Sequence, residues 1–401
     1  MTYGHGSCLE CTHGSAETAL VTIRHRAATD WHRVWIAVDK WRGRNEADDW
    51  IATGPEYVAA LAPVAVSKGG MVAAAGAVAR IAGSRQDATG ACYVRAMSHS
   101  LRFHVLLLPN VGWAELKSRV VWLEALGLEV AALADHFVDW TNPAAPWFET
   151  WSALAAIAEV TSSIRLATVV TQIPLRNPAM LARQVLTLDH ISQGRIELGL
   201  GTGLTIDPSY AMAGLPNWEP GERVERFAEY VDLVGRLLSQ EVTTYEGRYY
   251  QAAGAIMNPR PVQSPRPPLM VAALGPRMMR HAARFADSWN SLSFLPSFDE
   301  QVAETRTRCQ AIDAACAAID RDPATLRRSY TMFDAQARPR GGAIGYYDSP
   351  ERFIEQVSRV VELGISDVGL YYPLDPAQLA TFEEIATEVL PTLRARYPAV
   401  G

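Results

Sequence analysis

The residues with the clearest chemical capacity in this chain are Asp135 and His136, which directly follow an apolar run at 129–133. Such a run is typical of a buried strand, so both residues are expected at a strand end. A carboxylate beside a histidine can hold the imidazole and bias its protonation near neutral pH, as acid–base catalysis requires. A histidine that only closes a loop by hydrogen bonding is an equally good interpretation of the two residues.

A second segment, LGLGTG at 198–203, carries three glycines at alternate positions. Successive side chains of a strand point to opposite faces, so the glycines share one face that bears no side chains. A planar ring or a phosphate could approach the backbone there. The segment does not match the dinucleotide-binding pattern G-x-G-x-x-G, because Leu204 and Ile206 occupy its last position. Close packing of the strand against a helix is the alternative.

A third segment, ALGPRM at 273–278, joins an apolar run to a helical pattern. Gly275 and the following proline open the helix, whose free backbone N–H groups and positive dipole end attract anions. Arg277 adds a positive charge to this position. An ordinary helix start would explain the same residues equally well. All three segments follow predicted strands, and this shared position favours a common site.

The composition is that of a globular protein and restricts the kinds of partner. Of the 401 residues, 49% are hydrophobic and 20% are charged, and the formal net charge is −6. This balance disfavours nucleic acid, whose binding depends on clustered Lys and Arg. The most apolar stretch, 64–82, contains Lys68 and Arg80 and is therefore not expected to span a membrane. A small-molecule substrate is the expected partner.

Five cysteines and the first residues of the chain bear on its compartment. An odd cysteine count without a disulfide framework favours the reducing cytoplasm. The first ten residues, MTYGHGSCLE, lack the basic and apolar regions of a signal peptide. Cys8 and Cys11 have the spacing of metal ligands, but no second pair completes the set, so no metal site is predicted.

The elements that would position the candidate residues begin at 101. Strands are predicted at 102–108, 129–133, 165–170, 196–200, 269–273, 288–293, 328–333 and 367–371, and a helical pattern follows each of them. Parallel strands joined by helical crossovers are buried on both faces and read as near-continuous apolar runs, as these do. Eight such units predict a (β/α)8 TIM barrel, which typically takes ~250 residues plus insertions. A doubly wound open sheet is the alternative, because counting strands does not prove closure.

Two insertions and an N-terminal extension complete the predicted architecture. A loop at 204–221 and a hairpin at 242–254, with Glu246-Gly247 at its turn, both follow the fourth strand. Residues 1–96 show no sustained alternation of strand and helix. We interpret them as an extension that is disordered, or not native if translation begins at Met97, and 97–401 as the barrel domain. A small accessory domain is the alternative for 1–96.

Several longer segments resemble the luciferase-like monooxygenase family, which includes flavin- and deazaflavin-dependent oxidoreductases. They are ADHF at 134–137, LATVVTQIPLRNPAMLARQVLTLDHISQGRIELGLGTG at 166–203, RVERFAEYVDLV at 223–234, YEGRYY at 245–250 and RPPLMVAALGPRMMRHAARFADSWN at 266–290. The segments follow the family's order. The similarity runs from 101 to 395.

This resemblance implies a TIM barrel that binds reduced flavin mononucleotide (FMN), or the deazaflavin coenzyme F420, at the carboxyl end of its strands. His136 matches the family's active-site histidine, and Asp135 matches its polar neighbour. Val169 and Val170 fall where the family often has a non-prolyl cis peptide bond that supports the ring. The other positions implied in cofactor binding are Gly201 near the ring, and Thr202, Gly203, Leu274, Gly275 and Arg277 near the phosphate.

Three functions are compatible with the resemblance, and we favour the first, with the other two as alternatives. The first is a monooxygenase in which a separate flavin reductase supplies reduced FMN, oxygen is transferred to a small organic substrate, and His136 manages protons. The second is F420-dependent hydride transfer with His136 as acid or base and a separate deazaflavin-reducing enzyme as partner. The third is a flavin-binding protein without turnover. A homodimer is the common oligomer for such a chain.

Overall fold

The computed structural model describes residues 98–139 and 141–399 in full, and within 1–97 it describes only the backbone of four strands. The chain divides into two units, Met1–Tyr93 and Val94–Gly401. In the first unit, Thr2–Tyr3, Ser7–Thr12, Thr18–Ala27 and Asp30–Asp39 form an antiparallel sheet in chain order. The side chains of Cys8 and Cys11 lie outside the described residues. The interpretation of 1–96 as an extension stays a prediction.

Eight parallel strands close into a barrel in the second unit. They are β1 (Arg102–Leu107), β2 (Val130–Leu133), β3 (Arg165–Thr168), β4 (Ile196–Gly201), β5 (Leu269–Ala272), β6 (Ser288–Ser291), β7 (Arg327–Thr331) and β8 (Asp367–Tyr371). Each strand pairs with the next in chain order. The ring closes because β8 pairs with β1, with Val368 opposite Phe103. The predicted TIM barrel is therefore confirmed, and the open sheet is excluded.

A helix follows each strand. They are α1 (Trp113–Ala125), α2 (Thr150–Ala158), α3 (Pro178–Ile191), α4 (Pro220–Ser239), α5 (Pro276–Phe285), α6 (Phe298–Ala317), α7 (Pro350–Val361) and α8, which comprises Leu379–Glu384, a π-helical turn at Ile385–Val389 and Leu390–Arg396. The start of α3 is fixed by Asn177, whose side chain accepts the N–H groups of Ala179 and Met180. None of the helices in the described part of the chain is both long and apolar enough to cross a membrane.

The two predicted insertions after β4 are present. The loop at 204–221 contains a short helix, Ser209–Met212, and the hairpin pairs Val242–Glu246 with Gln251–Ile256. One further element was not predicted: a two-residue strand, Thr171–Gln172, which pairs with the end of β4. A segment of that length leaves no periodic pattern in the sequence.

The amino end of the barrel interior holds a buried network of charges. The guanidinium of Arg102 donates to Glu197 at 2.7 Å and to Asp367 at 2.8 Å. Asp367 also bonds to Nδ1 of His104 at 2.8 Å. Burial alone would raise the pKa of Asp367, but Arg102 and His104 outweigh it and hold that pKa well below its usual value. His104 therefore has a structural role, as its place within an apolar strand predicts.

Toward the carboxyl end, the interior surface of β1 to β3 is apolar, whereas the buried Asn290 of β6 donates to the hydroxyl of Thr331 of β7 at 3.1 Å. Leu106, Val130, Ala132, Ala134 and Ala167 form a buried cluster contributed by β1 to β3 and the start of the loop after β2. The partly buried side chains that pack on it are Leu108, Trp147, Val169 and Tyr371. We call this set the apolar cluster. It forms part of the floor beneath the loops that carry the candidate residues.

Candidate active site

His136 stands three residues beyond β2, and an aspartate from the insertion after β4 binds its ring. Nδ1 of His136 lies 2.6 Å from a carboxylate oxygen of Asp207. The imidazole side chain is 24% exposed, whereas the Asp207 side chain is 1% exposed. The other Asp207 oxygen accepts the backbone N–H of Ser209 at 2.8 Å, which fixes the carboxylate at the start of the short helix Ser209–Met212.

The charge of Asp207 determines which nitrogen of His136 can react. Burial acts to raise the pKa of Asp207, but hydrogen bonds from His136, Ser209 and Gln172 prevail and hold the pKa far below its usual range. An ionised carboxylate only accepts hydrogen bonds, so the 2.6 Å contact with Asp207 places a proton on Nδ1 of His136. The amide nitrogen of Gln172 also lies 2.8 Å from Nδ1, and it donates its protons to Asp207 and to the Asp135 carbonyl. This arrangement leaves Nε2 as the nitrogen that can take up or release a proton.

Gln172, in the two-residue strand after β3, joins the loops that follow β2 and β4. Its amide nitrogen donates to the Asp135 carbonyl at 3.0 Å and to the Asp207 carboxylate at 3.1 Å. Its amide oxygen accepts the hydroxyl of Tyr210, which is fully buried. Because both ends of the amide are engaged, its orientation is fixed, and it stabilises Asp207 against His136.

The position of Asp135 beside His136 suggested that its carboxylate holds the imidazole, but its partner in the structure is Arg176. Its buried carboxylate forms an ion pair with the guanidinium of Arg176, which also bonds Glu149 at 3.1 Å. The pair raises the pKa of Arg176 despite its burial. Asp207 therefore performs the orienting role that the sequence assigned to Asp135, and Asp135 anchors the loop after β3. A catalytic role for Asp135 stays a prediction.

The peptide bond between Val169 and Val170 is cis, as the family resemblance implied. Both valines are partly buried at the end of β3. A Cβ built on Gly201 would lie 2.5 Å from a methyl carbon of Val170, and one on Gly199 would overlap the carbonyl of Thr168. The glycine face of β4 is thus packed closely against the end of β3. The alternative that these glycines serve close packing is therefore supported, although the partner is a strand and not a helix.

Gly203 ends the glycine segment in a backbone conformation that glycine favours. Its φ is +71°, and a Cβ there would overlap both the Tyr210 hydroxyl and the Gln172 amide oxygen. The carbonyl of neighbouring Thr202 accepts a hydrogen bond from the buried Arg223 at 2.8 Å. The missing side chain of Gly203 therefore permits the Tyr210–Gln172 contact that supports Asp207.

The third predicted segment lies at the end of β5, the strand that pairs with β4. Gly275 is the N-cap of α5, and a Cβ built on it would meet no atom within 4 Å among the described residues. Leu274 is 36% exposed. Arg277 is about half exposed, lies 3.7 Å from Glu225 and lines a cavity of about 370 Å³ between α4, α5 and the hairpin. The space beside Gly275 is therefore open, and the cavity that Arg277 lines also contains Glu225 and Glu229.

The structure thus brings His136 to the same barrel end as Val169, Val170 and the glycine segment, through Gln172 as the common link. Four residues of this network were missed: Gln172, Arg176, Asp207 and Tyr210. The sequence did contain a signal for Asp207. A residue such as Ser or Asp followed by Pro is typical of a helix start, as at Ser349-Pro350, and Asp207-Pro208 has the same pattern. The indole of Trp289, in β6 beside β5, is fully buried and donates to the Ala273 carbonyl at 2.9 Å, so Trp289 belongs to the core.

Comparison with known proteins agrees with this architecture. The family model for luciferase-like monooxygenases matches residues 96–366. The chain is 30% identical over 335 residues to an F420-dependent glucose-6-phosphate dehydrogenase of Intrasporangium calvum, covering 71% of this chain and 99% of the relative. It is 29% identical over 323 residues to a protein of the same name from Beutenbergia cavernae, covering 70% and 94%.

Among solved structures, the barrel resembles the coenzyme F420-dependent tetrahydromethanopterin reductase of Methanopyrus kandleri. The TM-score is 0.59 at 20% identity, and the match covers 73% of this chain and 99% of the reductase. At that identity the likeness concerns the fold. The family model matches more than half of the chain, and the Intrasporangium relative is aligned over 99% of its own length. This chain therefore belongs to the luciferase-like monooxygenase family.

Proposed function

We propose that the protein is an oxidoreductase that transfers hydride between coenzyme F420 and a small organic substrate, with His136 as the acid–base residue. The observation that carries the proposal is the relative of Intrasporangium calvum, which is named as an F420-dependent dehydrogenase and is matched over 99% of its length. The His136–Asp207 pair supports it independently, because oxidation of an alcohol requires a base near the hydroxyl group.

The residues at the carboxyl end of the barrel fit a tricyclic ring with an anionic tail. Val169 and Val170 offer a partly buried apolar surface beside the apolar cluster. The open N-cap at Gly275 and the half-exposed Arg277 offer free N–H groups and positive charge. In the proposal, the valines hold the ring, and Gly201 contributes by letting Val170 pack closely against β4. Thr202, Gly203, Leu274, Gly275 and Arg277 hold the phosphate.

The mechanism assigns the proton chemistry to this chain. When bound, oxidised coenzyme F420 would supply the acceptor for the hydride that leaves the carbinol carbon. Nε2 of His136 takes the hydroxyl proton as that C–H bond breaks, which leaves a carbonyl product. Asp207 stabilises the resulting imidazolium through Nδ1, and Gln172 and Tyr210 keep the carboxylate in place. A second enzyme must restore the coenzyme between turnovers.

A coenzyme-binding titration, combined with measurement of oxygen uptake, tests the proposal. The purified protein is titrated with oxidised coenzyme F420 and, separately, with FMN. We expect tighter binding of F420 and turnover without oxygen consumption. Preferential binding of FMN with oxygen consumed in turnover would establish the monooxygenase instead. Binding of either compound without any turnover across a broad substrate panel would support the non-catalytic alternative.

A further inference from the structure

A row of aromatic side chains extends from His136 across the carboxyl end of the barrel. The indole of Trp147 meets the His136 ring edge-on, with centroids 5.7 Å apart. Trp147 and Tyr371 both pack on the apolar cluster. Tyr371 contacts Phe333 with centroids 6.1 Å apart, and Phe333 contacts Phe294 at 5.3 Å. We call Trp147, Tyr371, Phe333 and Phe294 the aromatic wall.

Exposed apolar side chains surround the same end. Large hydrophobic residues that directly follow the strands are exposed by 36% to 71%: Phe137, Leu204, Ile206, Leu274, Phe294 and Leu374. Loops that follow parallel barrel strands all lie at one end, so these side chains share the barrel end of His136. Exposed apolar surface grouped in one place marks a region where a ligand or partner binds. Phe294 belongs both to this group and to the aromatic wall beside His136, which points to a substrate.

Apart from the start of α5, where Gly275 and Arg277 are proposed to hold the coenzyme phosphate, the charges at this end do not suit a phosphate group. The segments that join each strand to its following helix contain three arginines, no lysine and eight acidic residues. Of the arginines, Arg176 is paired with Asp135, and Arg340 is paired with Asp334. Arg338 is exposed, and its guanidinium lies 3.5 Å from the carbonyl of Thr141. A dianionic substrate would therefore meet an excess of negative charge.

We infer that the substrate is an uncharged, apolar alcohol whose hydrocarbon part lies along the aromatic wall while its hydroxyl faces His136. The inference rests on the proposed function and departs from the glucose 6-phosphate named for the relatives. The redox step is that of the proposed function: the carbinol C–H bond breaks, its electron pair leaves with the hydride to oxidised coenzyme F420, and the hydroxyl proton passes to His136.

A chain-length series tests the substrate class. The full-length protein with oxidised F420 is assayed with 2-propanol, 2-butanol, 2-hexanol, 2-octanol and glucose 6-phosphate, by loss of the oxidised coenzyme's absorbance. We expect kcat/KM to rise about three- to fourfold per methylene, since each buried methylene favours binding by about 0.8 kcal/mol, and no turnover of glucose 6-phosphate. Preference for glucose 6-phosphate, or no turnover of any alcohol by protein that binds F420, overturns the inference and leaves the coenzyme assignment intact. Failure to bind F420 overturns the proposed function itself.

Two variants separate a substrate surface from a coenzyme surface. Phe294→Ala removes the exposed end of the aromatic wall, so less apolar surface remains to cover the hydrocarbon chain of the substrate. We expect kcat/KM for 2-hexanol to fall about tenfold. The kcat/KM for 2-propanol and the dissociation constant of F420 should not change. Ile319→Ala is the matched control, because Ile319 is 47% exposed between α6 and β7 at the opposite end of the barrel. Weaker F420 binding in Phe294→Ala, with the chain-length dependence intact, would contradict the inference. Loss of glucose 6-phosphate turnover in Arg338→Ala would do so too.

Discussion

Nδ1 of His136 and a carboxylate oxygen of Asp207 lie 2.6 Å apart, although 71 positions separate the two residues in the sequence. One follows β2, and the other belongs to the insertion after β4. The insertion therefore fixes the tautomer and direction of the ring that follows β2. In this site Asp207 is a positioning residue, since it acts on the substrate through His136.

The first prediction concerns the substitution Asp207→Asn. An asparagine can donate to Nδ1, which would place the ring proton on Nε2 and remove the base. We expect kcat to fall roughly 10²- to 10⁴-fold, the usual contribution of a positioned acid–base group, with little change in the F420 dissociation constant. The kcat pH profile should lose its acidic limb, and His136→Ala should abolish turnover. Asp348→Asn, at the same barrel end, is the control. An unchanged pH profile in Asp207→Asn would remove the pair from the mechanism.

The second prediction compares Gly203→Ala with Gly214→Ala. Both glycines have a positive φ, of 71° and 65°, so either substitution should cost about 1–2 kcal/mol of backbone strain. Only Gly203 is also crowded, by Tyr210 and Gln172, whereas a Cβ on Gly214 meets no described atom within 4 Å. We expect Gly203→Ala to lower the free energy of unfolding more and to reduce kcat as well. Urea denaturation measures the first effect, and equal losses for the two variants would contradict the packing argument.

The third prediction concerns the charge network at the amino end of the barrel. Asp367→Asn leaves Arg102 and His104 buried without their shared carboxylate, and breaking such a buried pair typically costs about 3–5 kcal/mol. Asp299→Asn breaks an ion pair with Arg359 whose aspartate is 82% exposed, so about 0–1 kcal/mol is expected. The two free energies of unfolding are compared by urea titration. Similar losses would show that the network contributes no more than a surface pair.

The fourth prediction concerns pH and Glu124. Its carboxylate accepts the backbone N–H groups of Ser162, Ser163 and Ile164, and these bonds outweigh burial and lower its pKa to about 2. A carboxylate whose pKa is lowered by folding stabilises the protein above its unfolded pKa and loses that contribution as pH falls. Glu124→Gln should therefore destabilise most near pH 7, by about 1–2 kcal/mol.

The difference between wild type and Glu124→Gln should shrink as the pH falls from about 4.5 to about 2. Denaturation at several pH values measures it, with exposed Glu383→Gln as the control. A pH-independent difference would mean that the charge of Glu124 contributes nothing.

Most of the barrel could be predicted from the sequence because its signals are local. The apolar run at 102–108 predicted β1 to within one residue. Asn177 followed by Pro178 has the pattern of a helix cap with proline in the first turn, and α3 begins at Pro178. Closure was harder, since the pairing of Val368 with Phe103 joins residues from opposite ends of the barrel domain. The count of eight strands favoured a barrel without proving closure, and the family resemblance implied a barrel as well.

The site was predicted less completely, for a reason that is clear at Asp135. Adjacent residues at a strand end point to opposite sides, so Asp135 meets Arg176 while His136 faces Asp207. Nearness in sequence therefore suggested the wrong carboxylate. Gln172 and Tyr210 were missed because an amide and a phenol acquire a role only from the residues that the fold places beside them.

Apart from Trp147, which lies in the loop after β2, the aromatic wall and the proton network come from different stretches of the chain. His136, Gln172, Asp207 and Tyr210 all belong to the first half of the barrel, whereas Phe294, Phe333 and Tyr371 come from its last three strands and the loops that follow them. Substitutions in those later strands and loops can reshape what the protein accepts without moving the group that handles protons. Descendants of this fold can thus exchange one substrate for another while inheriting the same acid–base apparatus unaltered.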